Sequence, residues 1–582
     1  MQNYRSVYEQ WLSDSVFDPQ TKEELRAISD NPREIEDRFY KELEFGTAGL
    51  RGILGAGINR MNLYTVGKVT QGLCAFLLEN DPTAKESGVV IAYDPRHMSR
   101  KFARECAAII AANGIKAYLF DDIRPTPELS FSVRQLSCAS GIVITASHNP
   151  SDYNGYKVYG RDGAQMSVED SDKVVQYTSK INGYGEIKKT DFDVAVAAGQ
   201  IVIVGSDIDD VYLKRVHTLS LRLDDIKQAV KEIKIIYTPL HGTGNKLVRR
   251  VLAENGYENV LVVDEQVVPD PNFSTVESPN PENRSAFNMA IELAKKENVD
   301  IIFGTDPDCD RIGVVFRDFN GEYIVLNGNQ IGCLLLEYVL KARQDLGLQK
   351  DNDFVIKSIV TTKLANMIAE SFGVEMREVF TGFKFICKLV NDLDEFGDKN
   401  FVFGFEESNG YLAGNFVRDK DAVIAAMLVA EMAAWHRFRN ETLADALKQI
   451  YEKYGYTIDE VISYTLKGKE GLDKIAAAMN ELRTTRPESF GTFDVSLVRD
   501  FETEEILETG KGVVGKTDMG EQSNVIYFQM SDGSCYVIRP SGTEPKIKLY
   551  FGVTGTTKDE AEALMKKFKA NVTEVIEKHL GI

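Results

Sequence analysis

The residues of this chain best equipped for chemistry lie in two short segments, Thr145-Ala146-Ser147-His148-Asn149-Pro150 and Asp306-Pro307-Asp308-Cys309-Asp310-Arg311. Ser147 follows the apolar run 141–144 and stands on a turn. The three aspartates alternate along the chain between the apolar runs 299–303 and 312–316. A hydroxyl that can carry a phosphoryl group, with a hard-cation site to neutralise it, is the minimum equipment for phosphoryl transfer through the protein itself.

In an extended loop, residues at i, i+2 and i+4 point the same way, so Asp306, Asp308 and Asp310 are expected to converge. Their mutual repulsion calls for a cation. An EF-hand calcium loop is excluded, because it needs glycine at its sixth position and glutamate at its twelfth, where this chain has Arg311 and Arg317. Three carboxylates with a substrate phosphate as a further ligand suit Mg²⁺. Cys309 reads as a small filler, since a hard-oxygen site does not want sulfur.

Ser147 is placed at the carboxyl end of a strand, facing the crevice where α/β proteins bind ligands. An ST-turn or helix N-cap is the bland alternative. A hydrolase elbow is absent, because Thr145 and Asn149 occupy its glycine positions. His148 reads either as a donor to phosphate or as a turn residue. Lys157, after the Gly155 turn, is expected to be re-aimed toward the serine loop. Beside other cations it would lose its proton near neutral pH; a solvated surface lysine is the alternative.

Other loops are suited to anions and hydroxyls. Arg539-Pro540-Ser541-Gly542-Thr543-Glu544-Pro545 offers a guanidinium, two hydroxyls and an approachable glycine amide, with Lys546 and Lys548 adding charge. Gly404-Phe405-Glu406-Glu407-Ser408-Asn409-Gly410 offers carboxylates and a hydroxyl for vicinal sugar hydroxyls. Thr381-Gly382-Phe383-Lys384 can add backbone and ammonium contacts. Phe45-Gly46-Thr47-Ala48-Gly49-Leu50-Arg51-Gly52 ends in an arginine able to steady a phosphate on Ser147, and it is not a Walker loop.

The elements that must position these loops recur. Strand, helix, glycine stop and strand follow one another over 88–120, 233–263 and 354–380, which is the βαβ signature. Three copies point to duplication, parallel pairing and right-handed crossovers. The fold class read from this is α/β, with three related domains and a smaller C-terminal α+β domain holding strands near 513–538 and a helix over 558–579. The expected boundaries are 1–205 (an acidic helical extension of about forty residues and domain I), 206–322, 323–457 and 458–582. Residues 458 to about 493 are expected to be linker and lead-in.

Net charge is −20, which opposes binding to nucleic acid or an anionic membrane, so phosphate must be held in local basic pockets. Apolar residues at 43% and charged residues at 27% indicate a soluble globular chain. The seven cysteines are scattered and read as reduced thiols of a cytoplasmic protein. No signal segment or membrane span is expected.

Taken in order, FGTAGLRG, TASHNP, GTDPDCDR, GFEESNG and RPSGTEPK resemble the motifs of the α-D-phosphohexomutase family over almost the whole chain. The likeness is greatest to phosphoglucomutases of the long bacterial type, which are related to phosphopentomutases and glucose 1,6-bisphosphate synthases. The resemblance implies four domains around a central cleft. It implies interconversion of glucose 1-phosphate and glucose 6-phosphate through a phosphoserine and glucose 1,6-bisphosphate, with small sugar phosphates as partners. Phosphomannomutase, phosphopentomutase or bisphosphate-synthase activity are the alternatives.

Carried over residue by residue, the resemblance makes Ser147 the phosphoserine and a ligand, with Asp306, Asp308 and Asp310, of one Mg²⁺. Lys157 becomes a general acid/base, with His148 and Arg51 around the phosphoserine and Arg311 supporting the metal loop at the substrate. Glu406 and Ser408 would hold sugar hydroxyls, with Thr381, Gly382 and Lys384 nearby. Arg539, Ser541, Gly542 and Thr543 would hold the non-reacting phosphate. One departure is visible: many family members have glycine between the second and third aspartates, where this chain has Cys309.

Overall fold

The computed structural model describes residues 4–46, 49–397, 399–466, 468–541 and 546–582, which form two compact units. The first comprises Met1–Ile331 with Cys387–Glu441, the second Gly332–Ile386 with Thr442–Ile582.

The first unit opens with three helices, Tyr4–Ser13, Pro19–Ala27 and Pro32–Phe39. Asp18 and Asn31 cap the second and third, and each of these starts with a proline, whose fixed φ suits a first helical position. Their apolar faces enclose Trp11, stacked on Phe17 at 4.1 Å, and close on Tyr64 and Tyr184. The expected helical extension therefore packs on the domain that follows.

That domain is built on a six-stranded sheet of β1 (Gly49–Ile53), β2 (Val89–Tyr93), β3 (Ala117–Phe120), β4 (Ser140–Ile144), β5 (Tyr153–Tyr159) and β6 (Ile201–Val204), in the order β1-β5-β4-β2-β3-β6. The strands β2, β3, β4 and β6 pair in parallel; β5 is antiparallel to β4 and β1. Strands β2 and β4 are buried along their whole length, as the apolar runs require of a parallel sheet covered on both faces. The Ser147 turn leaves the carboxyl end of β4, and β5 returns antiparallel with Lys157.

A second sheet has the order β11-β10-β9-β7-β8, from β7 (Lys234–Thr238), β8 (Asn259–Val262), β9 (Ile301–Thr305), β10 (Ile312–Arg317) and β11 (Tyr323–Val325). Strands β7, β8 and β9 are parallel, and the aspartate loop is the turn from β9 into antiparallel β10. The hairpin Asn400–Glu406/Gly410–Ala413 carries the Glu406 turn. Its Asn409 exchanges bonds with Ile312: the Ile312 amide donates to the Asn409 carbonyl at 3.2 Å and Asn409 Nδ2 donates to the Ile312 carbonyl at 3.0 Å. The helix Ala422–Phe438 follows, apolar on every side and buried accordingly.

In the second unit, Asp353–Ser358 and Glu375–Val379 are the parallel strands of the third βαβ unit, joined by the helix Leu364–Ser371. The C-terminal sheet of eight strands is antiparallel, and the helices Gly468–Thr485 and Lys558–Leu580 close its core. Residues 458–493 are not a linker. Tyr456–Thr465 pairs with Lys546–Gly555 through ten register pairs, and a helix follows it. Charged Asp459 and Glu460 interrupt the apolar alternation of that strand, which is why it does not read as one. Among the described residues no helix is long and apolar enough to cross a membrane, and all seven cysteines are free and buried.

The first eight residues of the helix Thr126–Gln135 are all buried, Glu128 included. Burial and the neighbouring Asp209 carboxylate push the Glu128 pKa well up. Burial acts the same way on Asp209, but bonds from Glu128, Lys246 and Arg124 prevail and hold it down. Glu128 thus keeps its proton while Asp209 carries the charge. Its folded value lies above the unfolded 4.5, so the stability it contributes is full in acid and is lost as pH rises through 4.5 toward the folded value. Glu128→Gln is expected to gain on the parent chain above that pH, by up to about 1.4 kcal/mol per pH unit. Urea denaturation between pH 4.5 and 8 checks this; parallel curves for the two proteins contradict it.

Candidate active site

The three carboxylates converge, but not by strand alternation. The segment is a tight turn. The Cys309 amide donates to the Asp306 carbonyl at 2.9 Å, and Cys309 adopts φ +56°. That left-handed conformation explains why glycine suits the position. The amides of Asp310 and Arg311 donate to Asp306 Oδ1 at 3.1 and 3.0 Å, which folds the first carboxylate back over the turn.

Three parts of the first unit hold the turn from outside. The Thr126 amide donates to the Asp308 carbonyl at 2.9 Å, the Thr243 amide to that of Pro307 at 2.9 Å, and the Ala422 amide to that of Cys309 at 3.2 Å. Gly242 is required here, since a Cβ on it would lie 2.6 Å from Pro307 Cα.

Asp306, Asp308 and Asp310 are buried, with one oxygen of each within 4.8 Å of the others. Among the described residues, Asp308 Oδ1 and Asp310 Oδ1 are buried without a hydrogen-bond partner. Lys157 Nζ lies 2.7 Å from Asp308 and 3.4 Å from Asp310, and Lys420 Nζ lies 3.1 Å from Asp310. Burial, Asp308 and Asp310 together push Asp306 well above the usual carboxylate range. Burial opposes ionisation of Asp308 too, but Lys157 holds it well below that range. A hard-oxygen cluster with orphaned, buried lone pairs fits a divalent cation such as Mg²⁺.

Ser147 Oγ donates to Asp306 Oδ2 at 2.7 Å across 159 positions of sequence, and lies 3.1 Å from His148 Nδ1. Ser147 itself is left-handed at φ +52°. Burial, with the Arg311 and Arg51 cations, pushes His148 down to about 2, so the ring is neutral. Arg51, on β1, donates to Asn149 Oδ1 at 3.3 Å. Gly155 lets β5 pass close to the start of the serine loop: a Cβ there would lie 2.3 Å from the Thr145 carbonyl oxygen.

Lys157 differs from the sequence expectation. Its immediate partners are the Asp308 and Asp310 carboxylates. Burial lowers its pKa, but these carboxylates outweigh burial and raise it, so the ammonium keeps its proton here. Arg311 is paired with Glu282 at 2.5 Å and reaches Asp310 only at 4.0 Å. Glu406 is buried, and its charge acts on both Arg311 and Lys420; Ser408 sits in the same turn. Thr381, Gly382, Lys384, Arg539 and Ser541 belong to the second unit. There Thr381 and Gly382 form a bend and Lys384 lies in the first turn of the helix that starts at Phe383; Phe380 and Phe385 join a cluster with Phe501 and with Val537 of the C-terminal sheet. The Ser541 amide donates to the Lys546 carbonyl at 2.7 Å. Gly542 and Thr543 lie outside the described residues.

The chain belongs to the phosphoglucomutase/phosphomannomutase family. Its three alpha/beta/alpha domains I, II and III match residues 42–184, 210–321 and 327–454. A phosphoglucomutase of Staphylococcus aureus (strain bovine RF122 / ET3-1) is 40% identical over 520 residues, 89% of this chain and 90% of that one. Among solved structures, pp63/parafusin, a phosphoglucomutase from Paramecium in its open form, superposes with a TM-score of 0.69 at 18% identity, over 93% of this chain and 96% of that one. A family protein from Burkholderia thailandensis gives 0.63 at 18%, over 92% and 97%. The chain is therefore a mutase of this family, and these two structures share its fold.

Two site residues escape the sequence reading. Arg96 follows β2 in Asp94-Pro95-Arg96, at the same sheet edge as Ser147. Its guanidinium donates to the carbonyls of Ser147 and Asn149, each at 2.5 Å, of Pro150 at 2.7 Å and of Tyr153 at 3.1 Å. Asp94 pairs with it at 3.2 Å and Phe273 faces it at 4.9 Å. The available signal is a charged pair directly after the first strand of a βαβ unit. Lys420 stands in the charged run Arg418-Asp419-Lys420-Asp421, between a hairpin and an apolar helix, and only the fold brings it to Asp310.

Arg96→Lys keeps the charge beside Asp94 but not the planar fork that ties four carbonyls. The variant is expected to lose on the order of 10²-fold in kcat, with KM within a few-fold, because the hydroxyl is misplaced and no substrate contact is lost. Steady-state kinetics with a thermal melt of each protein decides it; a change in KM alone contradicts the assignment.

Proposed function

We propose that the enzyme interconverts α-D-glucose 1-phosphate and glucose 6-phosphate through phospho-Ser147 and glucose 1,6-bisphosphate. The observation that carries this is the 2.7 Å contact of Ser147 Oγ with the buried aspartate cluster, beside the Lys157 ammonium. The 40% identity to a phosphoglucomutase over most of both chains supports glucose as the sugar.

Phospho-Ser147 gives its phosphoryl group to O6 of glucose 1-phosphate. The Ser147 Oγ–P bond breaks, an O6–P bond forms, and the O6 proton passes to a base. The bisphosphate then turns over and Ser147 Oγ attacks the phosphorus on O1: the O1–P bond breaks, an Oγ–P bond forms, and O1 takes up a proton as the serine hydroxyl gives one up, which leaves glucose 6-phosphate and restores the phosphoserine. Lys157 is assigned as the general acid/base at the sugar oxygen: the ammonium held by Asp308 and Asp310 is the proton donor, and its neutral form is the base that accepts the O6 proton. Arg96 holds the serine loop, and neutral His148 with Arg51 offers donors beside Ser147.

Asp306, Asp308 and Asp310, with the oxygen on Ser147, would hold one Mg²⁺, which supplies charge neutralisation for the group in transfer. Glu406 and Ser408 are assigned to sugar hydroxyls. Thr381, Gly382 and Lys384 are assigned to the sugar as well. Arg539, Ser541, Gly542 and Thr543 are assigned to the phosphate ester that is not reacting.

Ser147→Ala is expected to reduce glucose 1-phosphate turnover by at least ~10³-fold, with the purified variant lacking the added mass of one phosphate. Near-normal turnover refutes the phosphoserine. Asp308→Asn is expected to weaken Mg²⁺ by at least ~10²-fold, read by calorimetric titration; an unchanged isotherm refutes the metal assignment. Comparing kcat/KM for the 1-phosphates of glucose, mannose, ribose and glucosamine tests the sugar, with glucose expected to lead.

A further inference from the structure

A cleft of about 520 Å³ opens in the first unit, away from the aspartate turn, between Arg134 and Ser137 of domain I, Arg161 after β5, and Asn391, Asp394 and Arg418. Its size suits a small metabolite. Its walls are polar and carry three guanidinium groups, an amide, a hydroxyl and the carboxylates of Asp394 and Asp162.

The charges of these walls are unevenly matched. Arg418 is buried and committed: it pairs with Asp394 at 2.6 Å and donates to Asn391 and the Asn415 carbonyl. Arg161 pairs with Asp81 at 2.5 Å. The Asp162 carboxylate is taken by neutral donors, the Ala164 amide and the Asn391 side chain. Among the described residues Arg134 has no carboxylate within ion-pair distance, and its guanidinium donates only to the Asp162 backbone carbonyl at 3.3 Å. Its stem packs against Gly163, where a Cβ would lie 3.0 Å from Arg134 Cγ. Burial and the nearby Arg418 both disfavour its charge. A half-buried guanidinium, held in place and short of an anion, recruits one from solution.

We propose that this cleft is a second anion site, built to take the phosphate ester of a small polyol. Arg134 grips the dianion as a planar fork; Arg161 stays tied to Asp81 and Thr83 and flanks it as a second cation, while the Ser137 hydroxyl and the second amide N–H of Asn391 are the donors for the remaining oxygens. The Asp162 and Asp394 carboxylates disfavour a polyanion and suit hydroxyls on the ester's carbon chain.

The cleft shares its elements with the aspartate turn. The helix Thr126–Gln135 carries Thr126, which holds Asp308, at one end and Arg134 near the other, about 12 Å apart along the axis. Strand β5 carries Lys157, and Arg161 follows two residues after its end. Arg418 precedes Lys420, the partner of Asp310, by two residues. The cleft is thus a site separate from the aspartate turn, on three elements that each also touch that turn.

The test titrates inorganic phosphate and glycerol 3-phosphate calorimetrically into the full chain, its Arg134→Gln variant and its Ser137→Asp variant. Ser137 is left-handed at φ +54°, which aspartate tolerates, so the second variant adds a negative charge without removing packing. The expected result is a saturable component for glycerol 3-phosphate, tighter than for inorganic phosphate, that both variants weaken by about tenfold or more. Thermal melts without ligand confirm that each variant is folded. The proposal is overturned by an isotherm that either folded variant leaves unchanged, by glycerol 3-phosphate binding no tighter than phosphate, or by no saturable binding up to about 10 mM. These readouts do not involve turnover, so they stand apart from the mutase reading.

Discussion

Three carboxylates crowded into a turn of six residues, out of water, are the constraint on which the rest of this active site depends. Like charges at that spacing do not coexist in a buried place without positive charge among them. The protein answers with Lys157 from one domain and Lys420 from the segment before a buried helix, each within 3.1 Å of a carboxylate oxygen. The same electrostatic demand makes the cluster fit a divalent ion and makes the group on Ser147 the natural complement to that ion. Domain I, the turn of domain II and the 418–422 segment are thus tied by charge as well as by the backbone bonds from Thr126, Thr243 and Ala422.

Positioning in this site is done mainly by backbone. The serine is left-handed and its loop carbonyls converge on one guanidinium. The aspartate turn is left-handed at Cys309, and amides satisfy it from three sides. Such conformations are costly and persist where surrounding bonds over-determine them, which is typical of sites that must present a group at a fixed angle. Cys309 shows how a side chain is accommodated at a position that favours glycine: it is wholly buried, and its thiol fills space against Gly244.

Much of this was legible in the residues themselves. The apolar runs at 88–93, 141–144, 299–303 and 312–316 are strands because β-branched residues bounded by turn formers have few other options. The repeated strand–helix–glycine–strand pattern corresponds to the parallel pairs β2–β3, β7–β8 and Asp353–Ser358 with Glu375–Val379. What the residues did not reveal is what depends on distant neighbours. Arg96 acts through carbonyls that any sequence possesses. Lys420 acquires its partner only when a hairpin delivers it. The sequence sets Lys157 among other cations, whereas the fold surrounds it with carboxylates. The three carboxylates converge because their turn is compact, not because side chains alternate along an extended loop. The strand Tyr456–Thr465 does not show in the sequence, because acidic residues break its pattern on an edge that water reaches.

The central claim is that a phosphoryl group on Ser147 and a divalent ion on the aspartate turn are immediate neighbours. It is tested most directly by loading the phosphorylated full chain with Mn²⁺ as a paramagnetic stand-in and recording its coupling to phosphorus nuclei by electron–nuclear double resonance. One bound ion per chain with a ³¹P coupling, present when Ser147 is phosphorylated and gone when it is not, is the result expected. A bound ion with no phosphorus coupling in the phosphorylated enzyme would contradict the account.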